Sequence, residues 1–229
     1  MPEETAGTSP STTSDLPAIY RRRFADRQSR VDMWKVLYEH FFHRYIPTDS
    51  AFLEVGAGYC EFVNAVRARR RIALDLNADC KQHAADDVEV LCSPSDDLSA
   101  LDTASVDVVF ASNFFEHITR EQIVGTLQEV RRVLRPTGRL LVLQPNIRFC
   151  ARDYWMFFDH ITPLDDRSVC EALETNGFTV RELIVRFLPY TTQGRLPASL
   201  RLLRLYLRLP ILWRVFGQQS FIVATPAAR

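Results

Sequence analysis

The sequence predicts an α/β protein built on a doubly wound, mostly parallel sheet with helices on both faces. Three observations carry that expectation. Strand-like apolar runs alternate with helix-like segments between residues 51 and 145, the pattern of βαβ units. Hydrophobic residues make up 47% and charged residues 24% of the 229, an ordinary balance for a globular chain. A turn with two glycines, Gly56 and Gly58, ends the first strand-like run, which is where an open α/β sheet places its ligand crevice.

In chain order, residues 1–15 are rich in Ser, Thr and Pro with almost nothing to bury, and read as a disordered tail. The short basic segment 17–29 reads as a solvated helix face. Apolar residues at 31, 34, 37, 38, 41 and 42 form a helical stripe, which Pro47 ends. AFLEV (51–55) is strand-like, and CEFVNAVRAR (60–69) is the helix after the glycines. RIALDL (71–76) is the next strand, followed by a helix over 78–85. VEVLC (88–92) and VDVVFAS (106–112) are strands separated by a polar SPSDDLSAL. A helix over 121–134 stops at Arg135-Pro136-Thr137-Gly138, and RLLVLQP (139–145) is a strand. The aromatic run after 145, IRFCARDYWMFFDHITPL, has no clear period. Residues 165–178 read as a capped helix ending at Gly177, 178–187 as a strand, 196–217 as a basic amphipathic stretch broken at Pro210, and 220–226 as a last strand. The organisation expected is a tail (1–15) and one domain (16–229). That domain has N-terminal helices (16–48), a ligand-binding core (49–145) and an acceptor-side and C-terminal basic segment (146–229).

Composition narrows the function. Formal net charge is zero, against whole-surface attraction to nucleic acid, and no nucleic-acid partner is expected. Five cysteines at 60, 80, 92, 150 and 170 form an odd set without a CxxC pair. No secretory leader precedes them, and no apolar run reaches membrane-spanning length. A reduced, cytoplasmic setting is expected. The cysteines show no metal-ligand spacing, and no metal site is expected.

The glycine turn has two explanations: a sharp strand-to-helix turn, or a backbone that must approach a ligand closely. Asp75, 21 residues after Glu54 at the end of the second strand, favours a ligand, because a carboxylate there can accept both hydroxyls of a ribose. Its alternative role is a helix N-cap. A dinucleotide fingerprint wants Gly or Ala where Glu61 stands, and a glutamate would repel a pyrophosphate. Glu54 is a second acid at the loop. Acids suit a ligand with an amine or a sulfonium, and S-adenosylmethionine carries both.

FLEVGAG, the acid in ALDLN, the VDVVFASNFFEHI run and LQEVRRVLRPTGRLLVLQPN, in that order, resemble the class I S-adenosylmethionine-dependent methyltransferases over about residues 50–185. The closest likeness is to the broad group with Glu-His-Ile after the fourth strand. The resemblance implies a Rossmann-like sheet of seven strands, with SFIVATP as a last strand running antiparallel between its neighbours. It implies that Glu54, Gly56, Ala57 and Gly58 form the loop under the methionine part of the cofactor. Asp75, with Leu76 beside it, would bind the ribose, and Asn113 would lie near the methionine end and the acceptor. Cys60 stands where many members have a third glycine, and Ser93-Pro94 where many have Gly-Asp. The adenine contact is therefore assigned to Ser95, Asp96 and backbone amides.

Methyl transfer from a sulfonium is an in-line displacement that needs approach geometry and dry surroundings. A base is required only if the acceptor must lose a proton. His117 is one candidate base; the alternative is that Glu116 and His117 cap and pack a short helix. His160 is the other, with Asp159 positioned to set its tautomer; the alternative is a loop histidine bonded to backbone. Tyr154 and Trp155 are candidates for substrate contact, or core residues. Cys60 reads as a small core residue.

Residues 195–214 hold five arginines and no acid, with Arg201, Arg204 and Arg208 spaced to share one helical face. Three readings stay open: peripheral contact of 196–216 with the inner face of an anionic membrane, a lid whose arginines face phosphate or carboxylate groups, and a helix that simply covers the core. The tail also resembles methyltransferases found with bacterial surface-polysaccharide assembly, which implies a sugar or glycolipid hydroxyl acceptor. The expected function is methyl transfer to a small-molecule or glycan acceptor. The alternatives are a methyltransferase-like binding protein without catalysis and a nicotinamide-dependent oxidoreductase.

Overall fold

The computed structural model describes residues 16–23, 27–190 and 199–228. The expected N-terminal tail, and the first residues of the basic C-terminal stretch, lie outside the described residues.

Seven strands form one sheet in the order β3-β2-β1-β4-β5-β7-β6. They are β1 (Ala51–Val55), β2 (Arg70–Leu74), β3 (Val88–Leu91), β4 (Val106–Ser112), β5 (Leu134–Pro145), β6 (Phe178–Ile184) and β7 (Gln219–Pro226). The pairs among β1 to β5 are parallel, and β7 runs antiparallel between β5 and β6. The seven-stranded, mostly parallel sheet and the placement of SFIVATP are as expected. Central strands buried on both faces read as continuous apolar runs, and every residue of β1 is buried.

Helices α1 (Leu16–Arg23), α2 (Arg27–His40), α3 (Glu61–Ala65), α7 (Leu200–Arg208) and α8 (Pro210–Phe216) join α4 (Arg120–Val133), α5 (Ile147–Tyr154) and α6 (Asp166–Thr175). Trp34 and Leu37 of α2, Phe62 of α3 and Tyr206 and Leu207 of α7 share one core cluster with Phe52, Phe110 and Phe221 of the sheet. Leu127, Val130, Val169 and Leu173 of α4 and α6 share the other with Leu53, Val109 and Ile222. The alternation of strand side chains thus feeds two cores, one on each face.

Several elements differ from the expected bounds, and four of the differences have a local physical cause or content. The helix after the glycines stops at Ala65 instead of 69. The Arg71 guanidinium donates to the carbonyls of Val63, Asn64 and Val66, so it satisfies the orphan acceptors of the helix end and removes the need for further turns. The helix expected over 78–85 is a single 3-10 turn, Ala78–Gln82, capped by Asn77. Arg135-Pro136-Thr137-Gly138 does not separate helix from strand: Leu134 already pairs with Val106, and the register shift before Arg139 pairs with Val108 accommodates these residues as a bulge. The unassigned aromatic run contains α5, whose N-cap Asn146 accepts from the Arg148 N–H.

Candidate active site

The carboxyl ends of β1, β2 and β4 open into a cavity of about 380 Å³, within the range of small-ligand sites. A smaller polar cleft of about 240 Å³ opens at the other ends of the strands, beside Pro47, Asp107 and Arg139; it holds none of the predicted site residues. The large cavity collects Glu54, Gly56, Ala57, Gly58, Asp75, Leu76, Ser95, Asp96, Asn113, His117 and His160 in one lining. Tyr154 and Trp155 are not part of it.

Gly56 and Gly58 both have positive φ, +72° and +57°, which other L residues adopt at a cost. A Cβ on Gly56 would fall 2.4 Å from the Phe114 ring. Both glycines therefore meet the demands of a tight turn, and at Gly56 the close neighbour is a protein ring. The turn returns the chain so that the N–H groups of Gly56 and Ala57 donate to the Leu74 carbonyl at 2.9 and 3.0 Å. The next donor, Gly58 N–H, reaches Asp75 Oδ2 at 2.7 Å.

Asp75 is 4% exposed. Asn77 N–H donates to its Oδ1 at 2.8 Å, but the N-cap of the 3-10 turn that follows is Asn77 and not Asp75, so the alternative role as a helix cap does not hold. The Tyr20 hydroxyl of α1 lies 3.3 and 3.2 Å from the two oxygens. Burial raises the Asp75 pKa, opposed by the Asn77, Gly58 and Tyr20 donors. Tyr20 was legible only as part of a solvated basic segment; nothing local signals a contact 55 residues away.

Glu54 accepts the Val63 N–H at 2.9 Å, an otherwise orphan donor in the first turn of α3. Burial pushes the Glu54 carboxyl well above the usual carboxylate range. Glu61, expected to repel a pyrophosphate, is paired: the Arg30 guanidinium of α2 donates to it at 2.9 Å. Glu61 therefore adds little free negative charge to the cavity. Arg30, Met33 and Trp34 show that α2 is a wall of the cavity, a role that its apolar stripe did not distinguish from simple core packing.

Asn113 has φ +48°, a conformation that asparagine tolerates better than most residues. Its N–H donates to the Leu143 carbonyl, while its buried Oδ1 has no hydrogen-bond partner among the described residues. Ser95 lines the cavity, and its hydroxyl donates to Thr126 of α4 at 2.6 Å. Cys60 is fully buried, as expected, and its sulfur lies 3.1 Å from that of Cys80. That contact and burial push the Cys80 thiol up.

The two histidines lie at the other side of the cavity, and the structure brings them together. The loop after α5 is pinned to the β4–α4 connection: the N–H groups of Ile161 and Thr162 both donate to the Glu116 carbonyl, and the Thr162 hydroxyl donates to Ile118 O at 2.6 Å. The His117 and His160 rings are 4.7 Å apart between centroids. Asp159 meets His117 Nδ1 at 3.1 Å, not His160 as the adjacent numbering suggested. His160 stacks on Phe157 and meets the Tyr190 hydroxyl at 3.3 Å. Glu116 is fully buried beside both rings, its Oε2 accepting from Gln144 Nε2 at 2.9 Å. Tyr154 lies behind this group, buried, its hydroxyl on the Thr162 carbonyl and its ring edge-on to His160. Trp155 is 56% exposed on the outer surface. The apolar lining on this side comes instead from Met156, Phe157, Leu188 and Leu203.

Comparison with known proteins bears on the domain and the fold. Residues 53–142 match the family model described as a methyltransferase domain. No curated protein matches the chain. Among solved structures, the chain is similar to a component of the complex between the Haloferax volcanii Trm112 methyltransferase activator and a methyltransferase, with 19% identity, TM-score 0.70, and 96% of this chain and 99% of that one covered. It is similar to a SAM-dependent methyltransferase from Archaeoglobus fulgidus, with 20% identity, TM-score 0.66, and 91% and 99% covered. It is also similar to Burkholderia thailandensis 1,6-didemethyltoxoflavin-N1-methyltransferase, crystallised with its substrate and S-adenosylhomocysteine, with 15% identity, TM-score 0.61, and 99% and 94% covered.

The sheet order and the glycine turn with its acid at the end of β2 give the chain the fold of the class I S-adenosylmethionine-dependent methyltransferases, and residues 53–142 match the methyltransferase domain model. The cofactor of that class is S-adenosylmethionine. The residues present fit it: a buried carboxylate, Asp75, at the end of β2, and a buried acceptor without a hydrogen-bond partner among the described residues at Asn113.

Proposed function

We propose that the protein methylates a hydroxyl of a small-molecule or glycan acceptor. The observation that carries this reading is one continuous cavity with a ribose-type carboxylate, Asp75, on one side and a Glu116–His117–His160 cluster on the other. S-adenosylmethionine, when bound, supplies a methyl group made electrophilic by its sulfonium.

The remaining work falls to the chain's own residues. Asp75 accepts the ribose hydroxyls, with the Gly58 and Asn77 N–H groups fixing the carboxylate in place. Asn113 Oδ1 accepts from the ammonium of the methionine part. Leu76 and the backbone around Ser95 and Asp96 flank the adenine. Met156, Phe157 and Leu188 exclude water from the acceptor side. His117 and His160 border the place where an acceptor hydroxyl would sit, and a base there removes its proton as oxygen attacks. Asp159 and Glu116 orient and charge-balance the imidazoles.

The same reading extends to a glycolipid or membrane-associated acceptor. Leu202, Leu205, Leu209, Ile211, Val215 and Phe216 of α7 and α8 are exposed, beside the exposed Arg201, Arg208 and Arg214. Leu203, Leu207, Leu212 and Trp213 meanwhile pack toward the core, which accounts for one side of each helix only. An apolar surface flanked by arginines and without acids suits an anionic lipid surface. None of these arginines lines the cavity, against the lid reading. No described helix is long and apolar enough to cross a membrane.

The test is transfer of labelled methyl from S-adenosylmethionine to glycan, glycolipid and small hydroxyl acceptors, with product analysis for an O-methyl group. Label on nitrogen alone would replace the hydroxyl reading. Cofactor binding without transfer to any acceptor would favour a non-catalytic binding protein.

A further inference from the structure

We propose that Glu116, His117 and His160 form a binding site for one divalent transition-metal ion on the acceptor side of the cavity. The sequence reading expected no metal, because it searched the cysteines, and these three residues come together only through the fold.

The geometry is that of an open three-ligand site. Glu116 Oε1 lies 3.9 Å from His117 Nε2 and 4.0 Å from His160 Nε2, and the three ligand atoms lie within 4.8 Å of one another. Bonds of about 2.0–2.2 Å to nitrogen and oxygen set neighbouring ligand atoms roughly 3–3.5 Å apart, so side-chain shifts of less than about 1 Å close the site on an ion. The ligand set of two imidazoles and one carboxylate suits zinc, iron(II) or manganese rather than calcium, which prefers all-oxygen shells.

The surroundings of His117 and Glu116 are those that orient metal ligands, while His160 Nε2 meets the Tyr190 hydroxyl at 3.3 Å, a contact that an ion would displace. Asp159 presents a carboxylate oxygen at 3.1 Å and its carbonyl at 3.2 Å to His117 Nδ1. Both are acceptors, so in the neutral ring Nδ1 carries the hydrogen and Nε2 turns its lone pair toward Glu116. A ligating histidine is commonly fixed this way by a carboxylate on its far nitrogen. Gln144 holds Glu116 Oε2 at 2.9 Å and leaves Oε1 as the atom facing the imidazoles. The ligands sit on a short 3-10 turn, Phe115–His117, and on a loop hydrogen-bonded to the Glu116 carbonyl, so they are held by one rigid unit. All three border the same cavity as Asn113 and Gly56. Three protein ligands leave positions open on that side for an acceptor oxygen.

The role assigned to the ion rests on the methyl-transfer reading. A hydroxyl bound beside a divalent ion loses its proton to solvent water at a lower pH than it does free. The site would thus prepare a hydroxyl acceptor for attack, and the histidines would serve as ligands instead of as the base.

The test uses the full chain, stripped with a chelator and titrated with Zn²⁺ and with Mn²⁺ by calorimetry. The same stripped protein is titrated with S-adenosylhomocysteine, which tests the cofactor reading separately. The expected result is one ion per chain, at least tenfold weaker binding in His117→Ala and in His160→Ala, and about 10–100-fold weaker binding in Asp159→Asn. Asp159→Asn keeps its size and place on the loop, so it answers even if a histidine variant fails to fold. Cobalt-loaded wild type should show visible d–d absorption that His160→Ala loses. Folded wild type that binds S-adenosylhomocysteine but no ion would overturn the site and leave the cluster as a metal-free base. Ion binding unchanged in all three variants would overturn it equally, by locating the ion elsewhere, such as at the exposed Cys92.

Discussion

The Asp75 carboxylate shows how much a single residue's surroundings decide. A carboxylate has about four acceptor positions. Gly58 and Asn77 N–H groups take one on each oxygen, and the Tyr20 hydroxyl spans what remains. On the proposed function two ribose hydroxyls would need that remainder, so Tyr20 would compete with the cofactor for it. Tyr20→Phe is therefore expected to tighten S-adenosylhomocysteine binding about three- to tenfold, the worth of one net hydrogen bond, as read by calorimetry; weaker binding would mean that Tyr20 helps to hold the ligand. Glu54 supplies a second test at this scale. Its pKa is raised above the ordinary 4.5 by burial, so the folded free protein holds a proton that the unfolded chain has lost. Stability from this group therefore falls as pH rises above that ordinary value and through the raised value of the folded state. Thermal melts of the free protein should show Glu54→Gln gaining on wild type over that interval. Asp75 and the two glycines were legible in the sequence because strand, turn, helix and acid follow one another locally. Tyr20 and the Arg30–Glu61 pair were not, because each contact joins parts of the chain with no shared periodicity.

At the scale of elements, sequence signals succeeded where a local cause fixes the boundary. β1 and β4 run over the residues expected, each a short apolar run bounded by turn residues. α4 begins where Thr119 and Gln122 make a reciprocal capping box. Thr119 is exposed, so Thr119→Ala removes the cap without opening a cavity. It should cost about 1 kcal/mol of stability in denaturant unfolding, with cofactor binding unchanged. The expectation failed where a distant group decides: Arg71 ends α3 from the neighbouring strand, and the sheet's register admits the Arg135–Gly138 bulge. The aromatic stretch after 145 resisted reading for a related reason. Its residues serve three ends at once: Cys150 and Tyr154 in the interior, Phe157 and His160 at the cavity, and Trp155 and Phe158 at the surface. No single period describes that. It is also why His160, but not its partnership with His117 and Glu116, could be named beforehand.

The whole molecule is a sheet whose strand order sets the position of the chemistry. β1 and β4 lie side by side, so the loops after them, with Gly56–Gly58 and Asn113–His117, meet over the crevice at their carboxyl ends. The carboxyl end of β2 adds Asp75 alongside. Helices α2 and α7 close the same side, and α7 with α8 carries apolar residues and arginines to the surface. At this scale the membrane proposal predicts co-sedimentation with anionic vesicles, weakened by salt and by Arg201→Glu with Arg208→Glu, and little binding to neutral vesicles. Equal binding to both vesicle types would leave the arginines without that role. The central claim is that the crevice holds S-adenosylmethionine by Asp75. Its most direct test is calorimetric titration of S-adenosylmethionine and S-adenosylhomocysteine into wild type and Asp75→Ala. One-to-one binding to wild type, at least tenfold weaker in folded Asp75→Ala, is the predicted result; undiminished binding in the variant, or none to folded wild type, would contradict it.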